Sequence, residues 1–490
     1  MYSFLYKKYL YSVKAMIYSK YNRKNYMHFS HRSVEMKFDI NEKRKYQTVE
    51  GFGASGAWWA QIVGNWTHED PVSGKPVRDR ISELLFSKTE GIGLNIYRYN
   101  IGGGSKHSGR GTFSQPARAT ECFETAPGEY DWSRDSAAVY MLRRAVDDGA
   151  DNVIFFVNSP IERLTNNHKT QLNKNQIFRE NIKPKNYPAF AKYCADVAEH
   201  FIGEGIPIKY ISPVNEPLWI WNGGQEGCHY SPASCRRVFR AFVKELDGRK
   251  KLDGVKLSGC ENGDIRWFNK SYTRAVLGDP LIRTRLDALD IHSYCLHVPL
   301  PLLNDRVAFL RRFAKWMDKK YPGVPVNMSE WTHMQGGRDR GMDSALVTAN
   351  VMYEDLSVLN VVSWQHWIAV SEVDYCDGLI YINLDDKSFE MTKRYYVTGN
   401  FSKYVPAGAV RVDVSCDDPE LRLLAFEYDG GCAAVVINGT EKEKELSLPE
   451  QYSAVKLAVT DDDSDLCEYD ISGSERIKLT PRSVTTVIFR

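Results

Sequence analysis

Ile211-Ser212-Pro213-Val214-Asn215-Glu216-Pro217 is a short apolar run that ends in a carboxylate wedged between an amide and a proline. An Ile/Val-rich run of this kind reads as a strand buried on both faces, as in a parallel sheet. Polar residues just past its carboxyl end stand where such folds place their sites. Pro217 ends the strand and fixes the turn. Taken alone, Glu216 could instead cap a following helix. A second stretch repeats the arrangement, however: in Val324-Pro325-Val326-Asn327-Met328-Ser329-Glu330-Trp331 a short apolar strand again leads into a glutamate.

Strand-like runs alternate with amphipathic helices on either side of these two stretches, the signature of βα units around a parallel sheet. Strands are expected at 49–54, 94–100, 153–158, 208–214, 255–260, 288–292, 326–329 and 361–365. Helical stripes fill most gaps, at 136–150, 187–203, 234–246, 307–317 and 345–359. In the second of these, Phe190, Cys194, Val197 and Phe201 recur at steps of four, three and four, and Gly203 and Gly205 supply the stop. Eight such units close a (β/α)8 TIM barrel over 49–404.

After Tyr404 the period changes to two. Val410, Val412 and Val414 alternate with polar residues, 421–428 and 432–437 flank Asp429-Gly430-Gly431, and 483–489 closes the chain. An antiparallel β-sandwich side domain is therefore expected over 405–490, with 36–48 as an N-terminal strand joining it. Residues 1–35, with Tyr, Lys and Arg interleaved, read as a disordered extension or an upstream extension of the reading frame.

Composition excludes several classes. The 490 residues are 43% hydrophobic and 26% charged with a net charge of +2, so neither nucleic acid nor a membrane surface is indicated as partner. Eleven Trp and 28 Tyr suit a cleft that uses flat rings as platforms for sugars, although most rings belong to the core. The ten cysteines form no CxxC pair, which argues against a zinc cluster, and several fall inside helix or strand patterns as buried thiols of a reducing compartment. The first 35 residues hold no apolar run long enough for a signal peptide or a membrane span, and the expected location is cytoplasmic. The oligomeric state is not legible.

If Glu216 follows the fourth strand and Glu330 the seventh, both face one mouth of the barrel. Glycoside hydrolysis needs such a pair, one carboxyl protonated to assist the leaving oxygen and one ionised to attack, held roughly 5–5.5 Å apart in retaining enzymes. A negative Glu330 would help to keep Glu216 protonated near neutrality. Arg98 on the second strand either orients Glu330 through a charge-assisted bond or stands solvated at the strand end. Trp364 and Trp367 flank the eighth strand end, where a ring would floor the subsite for the reacting sugar. Trp58, Trp59, Trp219 and Trp221 extend the cleft or belong to the core. Gly102-Gly103-Gly104 lacks the Gly-Lys-Ser/Thr ending of a phosphate loop and reads as a flexible cleft loop.

The glutamate pair resembles the acid/base and nucleophile of the retaining clan A glycoside hydrolases. More closely, Gly51-Phe52-Gly53-Ala54-Ser55, Ser159-Pro160, Asn215-Glu216-Pro217 and Ser329-Glu330-Trp331 resemble glycoside hydrolase family 30, from about Val49 to the C-terminus. The resemblance implies an oligo- or polysaccharide substrate, Glu216 as acid/base, Glu330 as nucleophile, and Asn215 as partner of the sugar hydroxyl beside the reacting carbon. It places His292 and Tyr294 near the nucleophile, unless they are satisfied core residues. No cofactor or metal is expected.

The loop 218–228, together with Trp58-Trp59, resembles members that act on β-1,6-galactan side chains. Other specificities within the family remain open: β-1,6-glucanase, xylanase, β-glucosidase or β-fucosidase. Ile161-Glu162-Arg163-Leu164 departs from the family by lacking an aromatic residue after Ser159-Pro160. The basic residues Arg163, Lys169, Lys174, Arg179, Lys183 and Lys185 in this region meet a uronic acid or form a solvated loop. Two rivals stand outside this reading: a metal-dependent sugar isomerase holding its ion on Glu216, Glu330 and His292, and a non-catalytic carbohydrate-binding protein.

Overall fold

Parallel strands Gly51–Ser55, Ile96–Asn100, Asn152–Phe156, Ile208–Ser212, Lys256–Asn262, Leu286–His292, Val326–Trp331 and Ser363–His366 close into a barrel, each pairing with its chain neighbour and the last with the first. They fall on the eight apolar runs described above. The structure, a computed structural model, describes residues 37–490 apart from 109–112, 114–115, 296, 450 and 472–475. The stretch 1–35 lies outside the described residues.

Outward-facing strand residues and the surrounding helices make the main core. Helix Tyr187–Gly203 buries Phe190, Cys194, Val197 and Phe201 against it. The helix stops where Gly205 adopts φ 90° and the Ile206 N–H donates to the Phe201 carbonyl at 3.0 Å. Inside the barrel, side chains two residues apart on each strand form layers. Ile96, Ile154, Tyr210 and Ala288 fill the bottom. Above them Asn327 donates to Asp290 at 2.8 Å and accepts from Ser363 at 2.8 Å. The top layer carries charge: Arg98, Glu261, His292 and Glu330. An apolar floor beneath a polar mouth sets the low-dielectric surroundings of that top layer.

The side domain is a seven-stranded antiparallel sheet that includes Val410–Cys416, Leu421–Tyr428, Gly431–Asn438, Ala454–Thr460 and Ser483–Phe489. Phe38–Thr48 pairs antiparallel with Val410–Cys416 at its edge. Asp429-Gly430 makes the tight turn, Gly430 at φ 83°. Among the described residues, the domain adds to this sheet a two-stranded ribbon, Lys444–Ser447 with Arg476–Leu479. The large sheet itself packs on the barrel helices Met342–Glu354 and Lys393–Ser402. All ten cysteines are free thiols, Cys194 and Cys260 among the buried ones. Among the described residues no helix is long and apolar enough to cross a membrane.

Candidate active site

Glu216 leaves the fourth strand with φ 42°, a conformation uncommon outside glycine. The turn is held from both sides. Its N–H donates to the Glu261 carbonyl at 2.9 Å, and its carbonyl accepts from the Trp219 N–H and from Trp221 Nε1, each at 3.0 Å. The carboxyl is 18% exposed and places Oε1 3.0 Å from His292 Nδ1. A β-carbon on Gly263 would lie 2.6 Å from that oxygen, so only glycine leaves room for the carboxyl there.

Strict alternation along the seventh strand would turn Asn327 and Ser329 inward and Glu330 outward. A register irregularity between Met328 and Glu330 against the sixth strand brings Glu330 opposite His292 and into the mouth. Its Oε2 accepts from Arg98 Nη1 at 2.9 Å, and its Oε1 lies 3.6 Å from His292 Nδ1. One oxygen of Glu216 and one of Glu330 stand within 4.8 Å of each other. Such an approach suits the short separation, roughly 5–5.5 Å, of a retaining pair.

Arg98 does more than orient Glu330. Its guanidinium is buried 3.7 Å from the Phe156 ring centroid and donates to Asn215 Oδ1 at 3.1 Å as well as to Glu261. Asn215 in turn donates to Asn158 at 3.1 Å, and Asn158 to Asn100 at 3.1 Å. Asn215 is thus fixed as a polar group of known orientation beside the two glutamates.

Glu261 is a further carboxylate of the site, one that no motif in the sequence marks. The fifth strand brings this fully buried carboxylate inward at φ 48°, next to a register irregularity between Cys260 and Asn262. Its Oε2 lies 2.7 Å from His292 Nε2, accepts from Ser329 Oγ at 3.2 Å and pairs with Arg98. No pattern in the strand distinguishes it from an outward residue, because the irregularity that turns it in breaks the alternation.

Two cations and three carboxyls therefore share the mouth. Burial works against an imidazolium at His292, but Glu330, Glu216 and Glu261 outweigh it and raise its pKa to about 10. Burial would likewise raise Glu261, which Arg98 and His292 hold below the usual carboxylate range. At Glu330 burial wins: with Glu216 and Glu261 adding to it and His292 and Arg98 opposing, the carboxyl is pushed up to about 7. One proton on the Glu216–Glu330 pair leaves the cluster neutral, with Arg98 and His292 balancing two carboxylates. Such a proton belongs to the pair. Glu330 touches both cations and Glu216 only His292.

A cavity of about 540 Å³ opens over this layer, lined among others by Asn215, Glu216, Trp219, Trp221, Tyr294, Glu330 and Trp367. Tyr294 faces Glu330 and Glu216 across it; burial, and then their charges, hold its hydroxyl well above the ordinary range. Two tryptophans expected in the cleft are elsewhere. Trp59 is wholly buried in the core, its indole N–H donated to the Ser55 carbonyl at 2.9 Å. Trp364 also faces away from the cavity, to the helix side, where Nε1 donates to Asp355 at 3.1 Å. Alternation explains the second case: Ser363 and Gln365 point into the barrel, Trp364 points out, and Trp367 lines the cavity instead. Trp58 packs edge-on against Trp367, with ring centroids 5.4 Å apart, and buttresses that ring.

Gly102-Gly103-Gly104 is not a flexible loop. All three are buried, and the wholly buried Glu226 carboxylate accepts the Gly103 N–H at 2.9 Å and the Ser105 N–H at 3.1 Å. Arg163 pairs with Glu124 at 2.6 Å, away from the cavity lining.

Glu216, His292 and Glu330 would each offer a cation one ligand atom within 4.8 Å of the others. They do not fit that use. A ligating imidazole must be neutral, whereas His292 is bracketed by Glu216 and Glu261 and held protonated.

Residues 35–381 match the family model described as O-Glycosyl hydrolase family 30. The chain belongs to this family. It is 29% identical over 446 residues to an endo-β-1,6-galactanase of Hypocrea rufa, covering 84% of this chain and 82% of that protein. Among solved structures, a conserved exported protein from Bacteroides fragilis superposes with a TM-score of 0.82 at 22% identity, covering 92% of this chain and 100% of that one. The catalytic domain of a family 30 xylanase C from Talaromyces cellulolyticus superposes at 0.71 and 17% identity, covering 93% and 100%. This family 30 chain is an O-glycosyl hydrolase, and retention of configuration is the property of its family.

Proposed function

We propose that this family 30 enzyme cleaves β-1,6-galactan side chains by double displacement, with Glu216 as acid/base and Glu330 as nucleophile. The observation that carries the substrate class is the likeness to the Hypocrea rufa endo-β-1,6-galactanase along most of both chains. The geometry supports the roles. Glu216 donates its proton to the leaving oxygen while Glu330, oriented by Arg98, attacks the anomeric carbon to form a glycosyl ester. Esterification removes the Glu330 charge, and Glu216, now a carboxylate, takes a proton from the attacking water. His292 reaches both carboxyls, so it stabilises whichever of them is ionised at each stage. Asn215, fixed by Arg98 and Asn158, offers its amide to the hydroxyl beside the reacting carbon.

Product release from β-1,6-galactan, β-1,6-glucan and glucuronoxylan side by side, with Glu216→Gln as control, tests the proposal. Galacto-oligosaccharides that disappear in the variant are the expected result. Cleavage of another glycan with galactan untouched would overturn the substrate class and leave the chemistry standing.

A further inference from the structure

Two large indoles stand exposed at the cavity wall, Trp219 at 58% and Trp267 at 40%. Exposed indole area is unfavourable in water. Neither ring sits on a loose loop. Trp219 follows the braced Glu216 turn, its N–H donated to the Glu216 carbonyl. The Trp267 carbonyl accepts from Asn262 Nδ2 at 2.9 Å, and Asn269 donates to the Asp264 carbonyl at 2.6 Å in the same loop. Beside Trp267, the Arg266 side chain is only 2% exposed. It clamps both Asp264 oxygens and donates to the Leu303 carbonyl at 3.0 Å, and its guanidinium lies over the Trp267 ring at 5.3 Å from the centroid. Rings exposed at fixed positions are platforms already ordered before a ligand arrives.

Their place in the barrel says which part of a ligand they meet. Arg98, Asn215, Glu330 and Trp367 surround the point where a sugar reacts. Trp219 and Trp267 belong to the loops after the fourth and fifth strands, on the side of the strand that carries Glu216. The group that receives a proton from Glu216 is the leaving oxygen, so sugars beyond that oxygen lie toward these two indoles. The flat C–H face of a pyranose is a partner of matching shape and polarity for an indole ring.

We infer that Trp219 and Trp267 form a binding site for the leaving-group sugars of a polysaccharide, so that the enzyme holds the chain on both sides of the scissile bond and cuts internally. The inference rests on the retaining-glycosidase roles proposed above and extends them to the second half of the substrate.

The test compares two substrates of the full-length enzyme: the polysaccharide it cleaves best, and the β-glycosyl fluoride of the same sugar, whose leaving group reaches no sugar site. Trp219→Ala and Trp267→Ala should each lower kcat/KM on the polysaccharide about tenfold relative to the fluoride, and the double variant should shift early products from internal fragments to short ones. Trp267→Phe should restore most of the ratio. An unchanged ratio, or equal losses on both substrates, would overturn the inference. Using whichever glycan is cleaved keeps this result separate from the galactan assignment.

Discussion

His292 Nε2 lies 2.7 Å from Glu261 Oε2, on the opposite edge of the ring from the 3.0 Å approach of Nδ1 to Glu216 Oε1. The imidazole is therefore a bridge between a carboxylate buried for good and a carboxyl that must change protonation during turnover. Glu261 also pairs with Arg98, the residue that orients Glu330.

Glu261→Gln removes the charge and keeps the shape. We expect the His292 pKa to fall below its present value of about 10, kcat to drop by up to about a hundredfold, and KM to move little. NMR titration of His292 beside steady-state kinetics checks it; an unmoved His292 pKa would count against the bridge. Glu261→Ala takes one buried carboxylate partner from both Arg98 and His292 and should cost about 3–5 kcal/mol in denaturant unfolding.

The pH dependence has a definite sign. Glu330 is raised from 4.5 to about 7, so the folded state holds a proton that the unfolded chain has released. This stabilisation is full below about pH 4.5 and is lost as pH rises through about 7. Wild-type enzyme should therefore lose stability relative to Glu330→Gln over that window, measured as unfolding midpoints across pH. His292, raised from 6.5 to about 10, adds a second loss between those values. Activity needs one proton on the Glu216–Glu330 pair, so kcat/KM should decline above about pH 7. A profile still rising beyond pH 8 would contradict the charge balance.

Gly263 is the space that Glu216 occupies. Gly263→Ala puts a β-carbon 2.6 Å from the present position of Glu216 Oε1 and displaces the carboxyl. Turnover of the natural glycan should fall by about a hundredfold, while a substrate with an activated leaving group, which needs no acid, should lose far less. Equal losses would mean that the substitution damages more than the acid.

Trp364 and Trp367, three residues apart, should respond differently. Trp364→Phe gives up the hydrogen bond to Asp355 and should cost about 1 kcal/mol of stability with kcat/KM retained. Trp367→Ala opens the cavity wall and should depress kcat/KM with little change in unfolding midpoint.

Much of this was legible in the sequence because it depends on periodicity. Eight apolar runs spaced by helical stripes predict the barrel, and the carboxylates after the fourth and seventh runs converge because strand ends do. Legibility stops where one residue decides the facing. Trp364 points out and Trp367 in, by alternation that an uncertain strand end does not define. Glu261 and Glu330 are turned inward beside breaks in register, Glu261 at a positive φ as well. The triglycine, read as flexible, is pinned by Glu226 from a distant loop, a contact no local pattern contains. In the side domain, Lys444–Ser447, Cys467–Asp470 and Arg476–Leu479 are short and carry charged residues, so they lack the apolar alternation that marks a strand.

The central claim is that Glu330 forms the covalent intermediate while Glu216 handles the proton. Incubation with a 2-deoxy-2-fluoro-β-glycosyl fluoride of the cleaved sugar, followed by mass measurement of the intact protein and of its peptides, tests it most directly. One sugar per chain, carried by the peptide containing Glu330 and absent in Glu330→Gln, is the predicted result. A label on another carboxylate, or no label together with product of inverted configuration, would contradict it.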